Sequence, residues 1–488
     1  MKIAVVGGGA GGYLSALIFK KNYPEFEITV IDSSKIGILG PGEGTTSLFY
    51  DTLKNLDIDI DDFVKETKAT VKNGVKFVNW AIKKDAYFHS FVNNQMDINF
   101  SDENISIDEI KKQISLLSYT AIKDKNLDTI NPEAQSSYDN RVYTEKHSWH
   151  IDARLLAIFL NKQAVNRGIK IIDGVVDKII VNEYDEIKSL SIDNTIFDFD
   201  FFIDSSGFRR IIIGNHYKSE WIDTSNSLPC DNALVFFMYN QEPQLHGEAI
   251  AMDYGWAWKT PLQHRFGCGY VYDSSYITKE EAIEEVKNKF GNDIEIVNNF
   301  SFNSGYYKEP LIKNCLAIGL SSSFFEPMEA TSIHTSIVMC NRFIKVYADE
   351  YFKNKSKSIA DNYNNKIASF NEDIVAFLYF HFITNKTNTD FWKNFTINNT
   401  IPKKAITYME KLNNIFIDKN LNQKHEFSIF PFKSWIVVYF GNELYDENIL
   451  KFWVNDLSKE QYNRAIEETE ANKSKTTIEQ YLEHIKIK

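Results

Sequence analysis

The stretch KIAVVGGGAGG (residues 2–12) decides the fold of this 488-residue chain. Its mostly apolar start predicts a buried β-strand, and Gly7, Gly9 and Gly12 then give the spacing GxGxxG. A second apolar run ends in Asp32. Strand, glycine turn, helix, strand and acid in this order form the fingerprint of a dinucleotide-binding unit.

Each part of the fingerprint has a physical role. Gly7 allows a tight turn, Gly9 lets the backbone approach a pyrophosphate, and Gly12 lets the helix pack on the strand. Ala10 in this turn is a predicted cofactor contact, the helix that follows offers free N–H groups to an anion, and Asp32 is placed for a ribose hydroxyl. The fingerprint alone does not separate NAD from FAD, or an enzyme from a non-catalytic nucleotide-binding scaffold.

Composition narrows the class of protein. Hydrophobic residues make up 43% and charged residues 25% of the chain, which is typical of a globular protein. The net charge of −12 argues against a nucleic-acid partner. No apolar run approaches the ~20 residues of a membrane span, and the first residues predict a core strand, so a cytoplasmic protein is expected. The composition would suit a low-GC bacterium or a virus.

Neither cysteine nor histidine spacing predicts a metal site. The four cysteines are scattered and contain no CxxC pair. His150, Asp152, His264 and His334 do not have the spacing of metal ligands either. We therefore expect no bound metal.

The order of predicted elements favours FAD over NAD. The nucleotide-binding half is interrupted by strand-rich residues 230–310 and then completed by an apolar strand at 315–320, where Gly319 closes the site from far away in sequence. NAD dehydrogenases usually build this site from one contiguous domain, whereas flavoproteins of the glutathione-reductase type split it. The predicted fold class is α/β, with a split FAD-binding domain, an antiparallel substrate sheet and a helical C-terminal part. The predicted units are residues 1–350 for FAD binding and halogenation, and 351–488 as a helical part that covers the substrate.

Six sequence blocks, in order, resemble the flavin-dependent halogenases of the tryptophan-halogenase type. They are GPGEGTT (40–46), GVKFVNW (74–80), WHID (149–152), DSSGFR (204–209), WAWKTP (256–261) and FEPMEATSI (325–333). The resemblance implies an enzyme that uses FAD, a halide ion and O2. It also implies site residues: Gly42, Glu43, Gly44 and Thr45 for the cofactor, Thr331 and Ser332 for the halide, and Lys76 and Glu329 for catalysis.

Lys76 and Glu329 could each have a structural role instead of a catalytic one. Lys76 lies in an apolar strand, where a desolvated amine would have a lowered pKa, yet the strand alone favours a lysine that faces solvent on an edge strand. Glu329 could complement a helix dipole, or it could be the carboxylate that takes the proton released in substitution. The resemblance favours the catalytic reading of both. Ala330 stands where the family usually has serine, which puts the halide preference in doubt.

Substrate contacts are predicted at His89 and Phe91, which have the H-x-F spacing that clamps an aromatic ring in the family. A surface histidine and a core phenylalanine are the alternative. The C-terminal third matches the family poorly, and Trp435 there could line a pocket or a core. We do not predict tryptophan as the substrate.

The function expected from the resemblance is halogenation of an electron-rich aromatic compound that resembles an indole or a phenol. Reduced FAD would come from a separate flavin reductase, and hypohalous acid would be delivered to the active-site lysine. A flavin-dependent aromatic monooxygenase and the nucleotide-binding scaffold remain as alternatives. A homo-oligomer is left open.

Overall fold

The computed structural model describes residues 1–37, 42–72, 74–82, 85–90, 148–241, 244, 246–415, 430, 432–442 and 444. The predicted substrate residue Phe91 and the polar stretch 101–140 lie outside these residues. None of the helices in the described part has the length and apolar character that a membrane span needs.

The first sheet grows outward from the strand Lys2–Val6. This strand pairs in parallel with Glu27–Asp32 on one side and with Phe201–Asp204 on the other. The apolar strands are buried because helices cover the sheet. In spatial order the six strands are Leu311–Ile312, Cys315–Ala317, Phe201–Asp204, Lys2–Val6, Glu27–Asp32 and Lys170–Asp173.

The second sheet has seven strands and carries the W-x-W block. The predicted sheet is antiparallel, but the structure differs at one place, where Gly74–Val78 pairs in parallel with Gly247–Ala251. These two strands are far apart in sequence, so no hairpin forces them to be antiparallel. In spatial order the strands are Ile294–Ser301, Asn232–Met238, Phe266–Tyr272, Gly255–Pro261, Gly247–Ala251, Gly74–Val78 and Ala86–Ser90.

Three smaller sheets of three strands each complete the β-structure of the described residues. One of them contains Glu43–Gly44, Ser148–Ile151 and Thr70–Lys72, and it brings the second glycine-rich turn beside a buried strand. The other two are formed by Thr195–Asp198, Ile187–Ile192 and Val176–Val181, and by Trp221–Asp223, Gly305–Tyr307 and Ser323–Phe324.

Helices cover the first sheet and then extend beyond it. The helix Thr331–Arg342 continues into a π-helical turn at Phe343–Tyr347. The long helix Lys357–Phe382 follows. The α-helices of the described part of the chain are Ala10–Asn22, Ser47–Asn55, Ile60–Thr67, Ala153–Asn166, Lys279–Phe290, Thr331–Arg342, Ala348–Asn354, Lys357–Phe382, Asp390–Asn398, Lys403–Ile415 and Phe432–Gly441.

Two large hydrophobic cores result from this arrangement. The first core lies between the first sheet and its helices, and the second packs the second sheet against the C-terminal half of the helix Lys357–Phe382. The segment Phe325–Met328 joins the second core, while Ile333 and Ile337 join the first. The FEPMEATSI block therefore passes from one core to the other, which places it between the two sheets.

Candidate functional site

The glycine turn has the geometry that its spacing predicts. A side chain at Gly7, whose φ is +118°, would collide with the carbonyl of Ser205, and one at Gly12 would collide with the carbonyl of Gly7. A side chain at Gly9 would meet no protein atom within 4 Å. The helix Ala10–Asn22 begins there without a side-chain cap. This open, uncapped turn fits a phosphate group.

Asp32 and Gly319 lie at the same turn. The Asp32 carboxylate accepts hydrogen bonds from the Tyr13 hydroxyl at 2.9 Å and from the Ser33 N–H at 2.8 Å. Gly319 has φ +64°, and its Cα is 4.0 Å from the position of a Cβ at Gly11. The structure thus brings together residues that are about 300 positions apart in sequence.

The second glycine-rich turn leads from Gly42 to Thr45. Glu43 lines the cavity described below, and burial raises its pKa to about 7. Thr45 has a structural contact instead, because its hydroxyl accepts a 2.8 Å hydrogen bond from the N–H of Trp149. Thr45 is fully buried and is not among the residues that line the cavity.

A cavity of about 700 Å³ lies against the second sheet, and the start of the helix Thr331–Arg342 borders it. This volume is in the range of sites that hold a cofactor or a drug-sized ligand. Its walls combine most of the chemically suggestive blocks of the sequence. They include Gly42, Glu43, Gly44, Lys72, His150, Trp256, Trp258, Gly319, Glu326, Glu329, Thr331 and Ser332.

Lys72 and Lys76 differ in their position relative to the cavity. Lys76 does not line the cavity, since it points to the opposite face of its strand from Val75, which does. Lys72 lines the cavity instead, is 3% exposed and lies within electrostatic range of Glu329. Burial lowers its pKa to about 8, although Glu329 acts in the opposite direction. The sequence contains a signal that separates the two lysines. The dipeptide Asn73-Gly74 is typical of a turn, so it predicts that Lys72 ends one strand and that Lys76 belongs to the next.

Glu329 occupies a strained and buried position. Its backbone has φ +63° and ψ +11°, in the left-handed region, and the next residue, Ala330, also has a positive φ. Its Oε1 atom lies 2.8 Å from His89 Nδ1 and 3.0 Å from His381 Nε2. Burial alone would raise the pKa of Glu329, but the two histidines lower it below its usual range.

The helix Thr331–Arg342 begins two residues after Glu329. Its N-cap, Ala330, forms no side-chain hydrogen bond with the first N–H groups. Thr331 and Ser332 both line the cavity. An uncapped helix N-terminus at a cavity wall suits an anion.

The predicted substrate residues have a different setting from the one expected. His89 is 3% exposed and bonds Glu329, and its Nε2 lies 2.9 Å from the Ser434 hydroxyl. Trp435 is fully buried in the second core, against Phe377, and does not line the cavity. The structure therefore supports the core alternative for Trp435.

The two tryptophans of the WAWKTP block form part of the cavity wall. Trp258 lies over Gly269, where any side chain would collide with its ring. Trp256 donates a 2.7 Å hydrogen bond to Glu326 Oε2, and burial raises the pKa of Glu326 to about 8.

Sequence reasoning missed Lys72, Glu326 and His381. Glu326 lies inside the FEPMEATSI block, so the block indicated its place but not its role. The signal for His381 is a single histidine within the otherwise apolar run 374–383. Among the described residues, no group of three or more His, Cys, Asp or Glu side chains is arranged to hold a metal ion.

Comparisons with known proteins show the family of this chain. A sequence model of the tryptophan halogenase family matches residues 2–454. Tryptophan 7-halogenase RebH of Lentzea aerocolonigenes is 28% identical over 483 residues, which cover 93% of this chain and 87% of the relative. Tryptophan 7-halogenase KtzQ of a Kutzneria species is 28% identical over 419 residues, covering 80% of this chain and 78% of the relative.

A solved structure agrees over nearly the whole chain. Xcc4156, a flavin-dependent halogenase from Xanthomonas campestris, superposes with a TM-score of 0.77 at 25% identity, covering 96% of this chain and 95% of the other. The family match, the relatives and this superposition lead to one assignment. The chain belongs to the tryptophan halogenase family and is a flavin-dependent halogenase, an oxidoreductase.

Proposed function

We propose that this enzyme halogenates an electron-rich aromatic substrate, indole- or phenol-like, with hypohalous acid that Lys72 and Glu329 direct to the ring. The observation that carries the proposal is the shared cavity. Lys72, Glu329, Thr331 and Ser332 all lie on its wall. A cation, a carboxylate and an uncapped helix N-terminus meet there, and this set can hold a halide, orient an electrophile and accept a proton.

The residues present fit FAD. We assign the phosphates to the turn Gly7–Gly12, because a Cβ at Gly9 would meet no protein atom and the helix at Ala10 is uncapped. Asp32 would face the ribose, and Gly42, Glu43, Gly44 and Gly319 would border the cofactor. When bound in its reduced form, which a separate flavin reductase would supply, FAD and O2 provide the oxidation of halide to hypohalous acid.

Lys72 is placed to receive and orient the hypohalous acid. A pKa of about 8 leaves a fraction of the amine neutral near pH 7, and an ammonium in the same place can donate a hydrogen bond. Glycine at position 44 makes room for it, because a side chain there would collide with the Lys72 amine. Lys76, on the other face of its strand, has no part in this proposal.

Glu329 is placed to accept the proton that the ring carbon loses. Among the described residues, its Oε2 atom has no hydrogen-bond partner, while both histidines bond Oε1. A carboxylate with a lowered pKa is ionised at neutral pH and can act as a general base. Trp256 and Trp258 would wall off the flavin ring from the organic substrate.

The names of the relatives indicate indole chemistry, since RebH and KtzQ are tryptophan halogenases. His89 adjoins Glu329, so it remains our candidate for the substrate side of the site. Phe91, outside the described residues, remains a prediction from the H-x-F spacing.

The test is a halogenation assay with matched lysine variants. The enzyme, FAD, a flavin reductase, NADH and O2 are incubated with chloride, bromide or iodide and a panel of indoles and phenols, and products are identified by mass spectrometry. We expect halogenated product from the native enzyme, a loss of about 10²-fold or more in Lys72→Ala, and near-native activity in Lys76→Ala.

Each other outcome has a defined meaning. Loss of activity in Lys76→Ala but not in Lys72→Ala would contradict the lysine assignment. Hydroxylated product would indicate a monooxygenase. A protein that binds no FAD would favour the nucleotide-binding scaffold.

A further inference from the structure

Four titratable side chains surround Glu329. Lys72 comes from the strand Thr70–Lys72, Tyr87 and His89 from the strand Ala86–Ser90, and His381 from the long helix. His89 and His381 both face the same oxygen, Oε1. The side chain of Glu329 is 1% exposed and that of His381 is fully buried, so water does not compete for these contacts.

The protonation of His381 follows from what its two nitrogens face. Nδ1 lies 2.8 Å from the carbonyl oxygen of Phe377, which can only accept, so Nδ1 carries a proton. In a neutral imidazole the other nitrogen, Nε2, would then be an acceptor. Yet Nε2 lies 3.0 Å from Glu329 Oε1. This contact requires one more proton, either on Nε2 or on the carboxyl group.

His89 limits where that proton can be. Its Nδ1 also faces Oε1, and its Nε2 faces the Ser434 hydroxyl, which can donate or accept. A neutral His89 satisfies both contacts by donating from Nδ1 and accepting from Ser434. A second imidazolium would leave excess positive charge in a buried site that already contains Lys72, which is costly.

We propose that His381 is the imidazolium that keeps Glu329 ionised, and that a neutral His89 fixes the direction of the carboxylate. The inference rests on the proposed function, in which Glu329 is the base. With both histidines on Oε1, Oε2 is the atom left to accept the proton from the ring. The C–H bond breaks, its electron pair stays in the ring, and the proton goes to Oε2. His381 is therefore a positioning residue that acts through Glu329.

The test compares pH profiles of kcat/KM for halogenation. His381→Gln keeps an N–H donor but loses the charge, so Glu329 would ionise less readily and its pKa would rise. We expect the acid limb of the profile to move to higher pH by about 1 to 3 units in His381→Gln. Ser434→Ala removes only the hydroxyl at His89, and its acid limb should stay in place.

A direct measurement guards against a variant that misfolds. Nitrogen-15 NMR of the native enzyme labelled at histidine reports the protonation of each ring nitrogen, and the His381→Gln spectrum identifies the signal. We expect both nitrogens of His381 to carry protons at pH 7. A single protonated nitrogen throughout pH 5–8 would overturn the proposal, whatever the activity of the variant.

The two proposals fail in different ways. If the native enzyme makes no halogenated product, or if Glu329→Gln remains fully active, the proposed function fails. If the native enzyme halogenates and Glu329→Gln is inactive, but His381→Gln has the native acid limb, the role of His381 fails alone.

Discussion

Two glutamates three positions apart in the FEPMEATSI block have opposite protonation properties. Glu326 is fully buried, accepts a hydrogen bond from Trp256 and has a pKa raised to about 8 by burial. Glu329 is also buried, but its two histidine partners hold its pKa below the usual range. Such pairs separate a neutral carboxyl group from an ionised one in a single site. Glu326 thus bonds a tryptophan of the cavity wall, whereas Glu329 is available for the proton transfer that we propose.

The raised pKa of Glu326 predicts a specific pH dependence of stability. Below about pH 4.5 the carboxyl group is protonated in both the folded and the unfolded chain. As the pH rises to about 8, the unfolded chain releases this proton and the folded chain keeps it, so stability falls by at most about 1.4 kcal/mol per pH unit. Glu326→Gln removes this loss. We expect the Tm of the variant to rise relative to the native protein between pH 5 and 8, as measured by differential scanning fluorimetry.

Glu281→Gln is the matched control for this experiment. Glu281 belongs to the capping box of an exposed helix, and hydrogen bonds from Thr278 lower its pKa. The Glu281 carboxylate is ionised in both the folded and the unfolded chain above about pH 5.5. The difference in Tm between Glu281→Gln and the native protein should therefore be constant above that pH. Parallel curves for Glu326→Gln and the native protein would contradict the raised pKa.

At the scale of single elements, the glycine turn was the most predictable part. Its spacing specifies backbone contacts that only glycine permits, and the structure shows those contacts at Gly7 and Gly12. The start of the helix Ala153–Asn166 depends on a local contact as well, because the Asp152 side chain accepts hydrogen bonds from two N–H groups there. Capping and close backbone approach are local, so sequence reveals them.

Gly9 and Gly12 give a paired prediction for this turn. Gly9 has φ −76° and ψ 179°, which alanine adopts without strain, and a Cβ there would contact no protein atom. Gly9→Ala should change the free energy of unfolding of the FAD-free protein by less than about 0.5 kcal/mol but weaken FAD binding. In Gly12→Ala the new Cβ would collide with the Gly7 carbonyl oxygen, and we expect the free energy of unfolding to fall by about 1–3 kcal/mol.

Urea unfolding of the FAD-free protein and fluorescence titration with FAD measure the two effects separately. Strong destabilisation by Gly9→Ala would mean that the residue has a structural role instead. Unchanged FAD affinity in Gly9→Ala would show that the phosphates lie elsewhere.

At the scale of the whole molecule, contacts between segments that are distant in sequence could not be predicted from the sequence. Lys72 and Lys76 both stand in apolar surroundings, and only the sheet to which each strand belongs separates them. The parallel pair in the second sheet and the contact between His381 and Glu329 likewise depend on segments distant in sequence. Motif order predicted the mixed α/β class and several residues of the cavity wall, whereas side-chain direction required the assembled molecule.

The long helix Lys357–Phe382 joins the two halves of the described structure. Near its start, the Asn364 side chain bonds both the N–H and the carbonyl of Leu311, at the edge of the first sheet, each at 3.0 Å. Near its end, His381 reaches Glu329 beside the second core. The helix therefore sets the distance between the first sheet and Glu329.

Asn364→Leu tests this connection. The substitution leaves two buried backbone groups of Leu311 without partners, and each costs about 1–3 kcal/mol. Asn362→Leu is the control on the same helix, since Asn362 is exposed and accepts one hydrogen bond, from Tyr347. We expect urea unfolding to show that Asn364→Leu lowers the free energy of unfolding by about 2 kcal/mol or more. Asn362→Leu should change it by less than about 0.5 kcal/mol. Equal effects of the two substitutions would show that the contact between Asn364 and Leu311 does not hold the helix to the sheet.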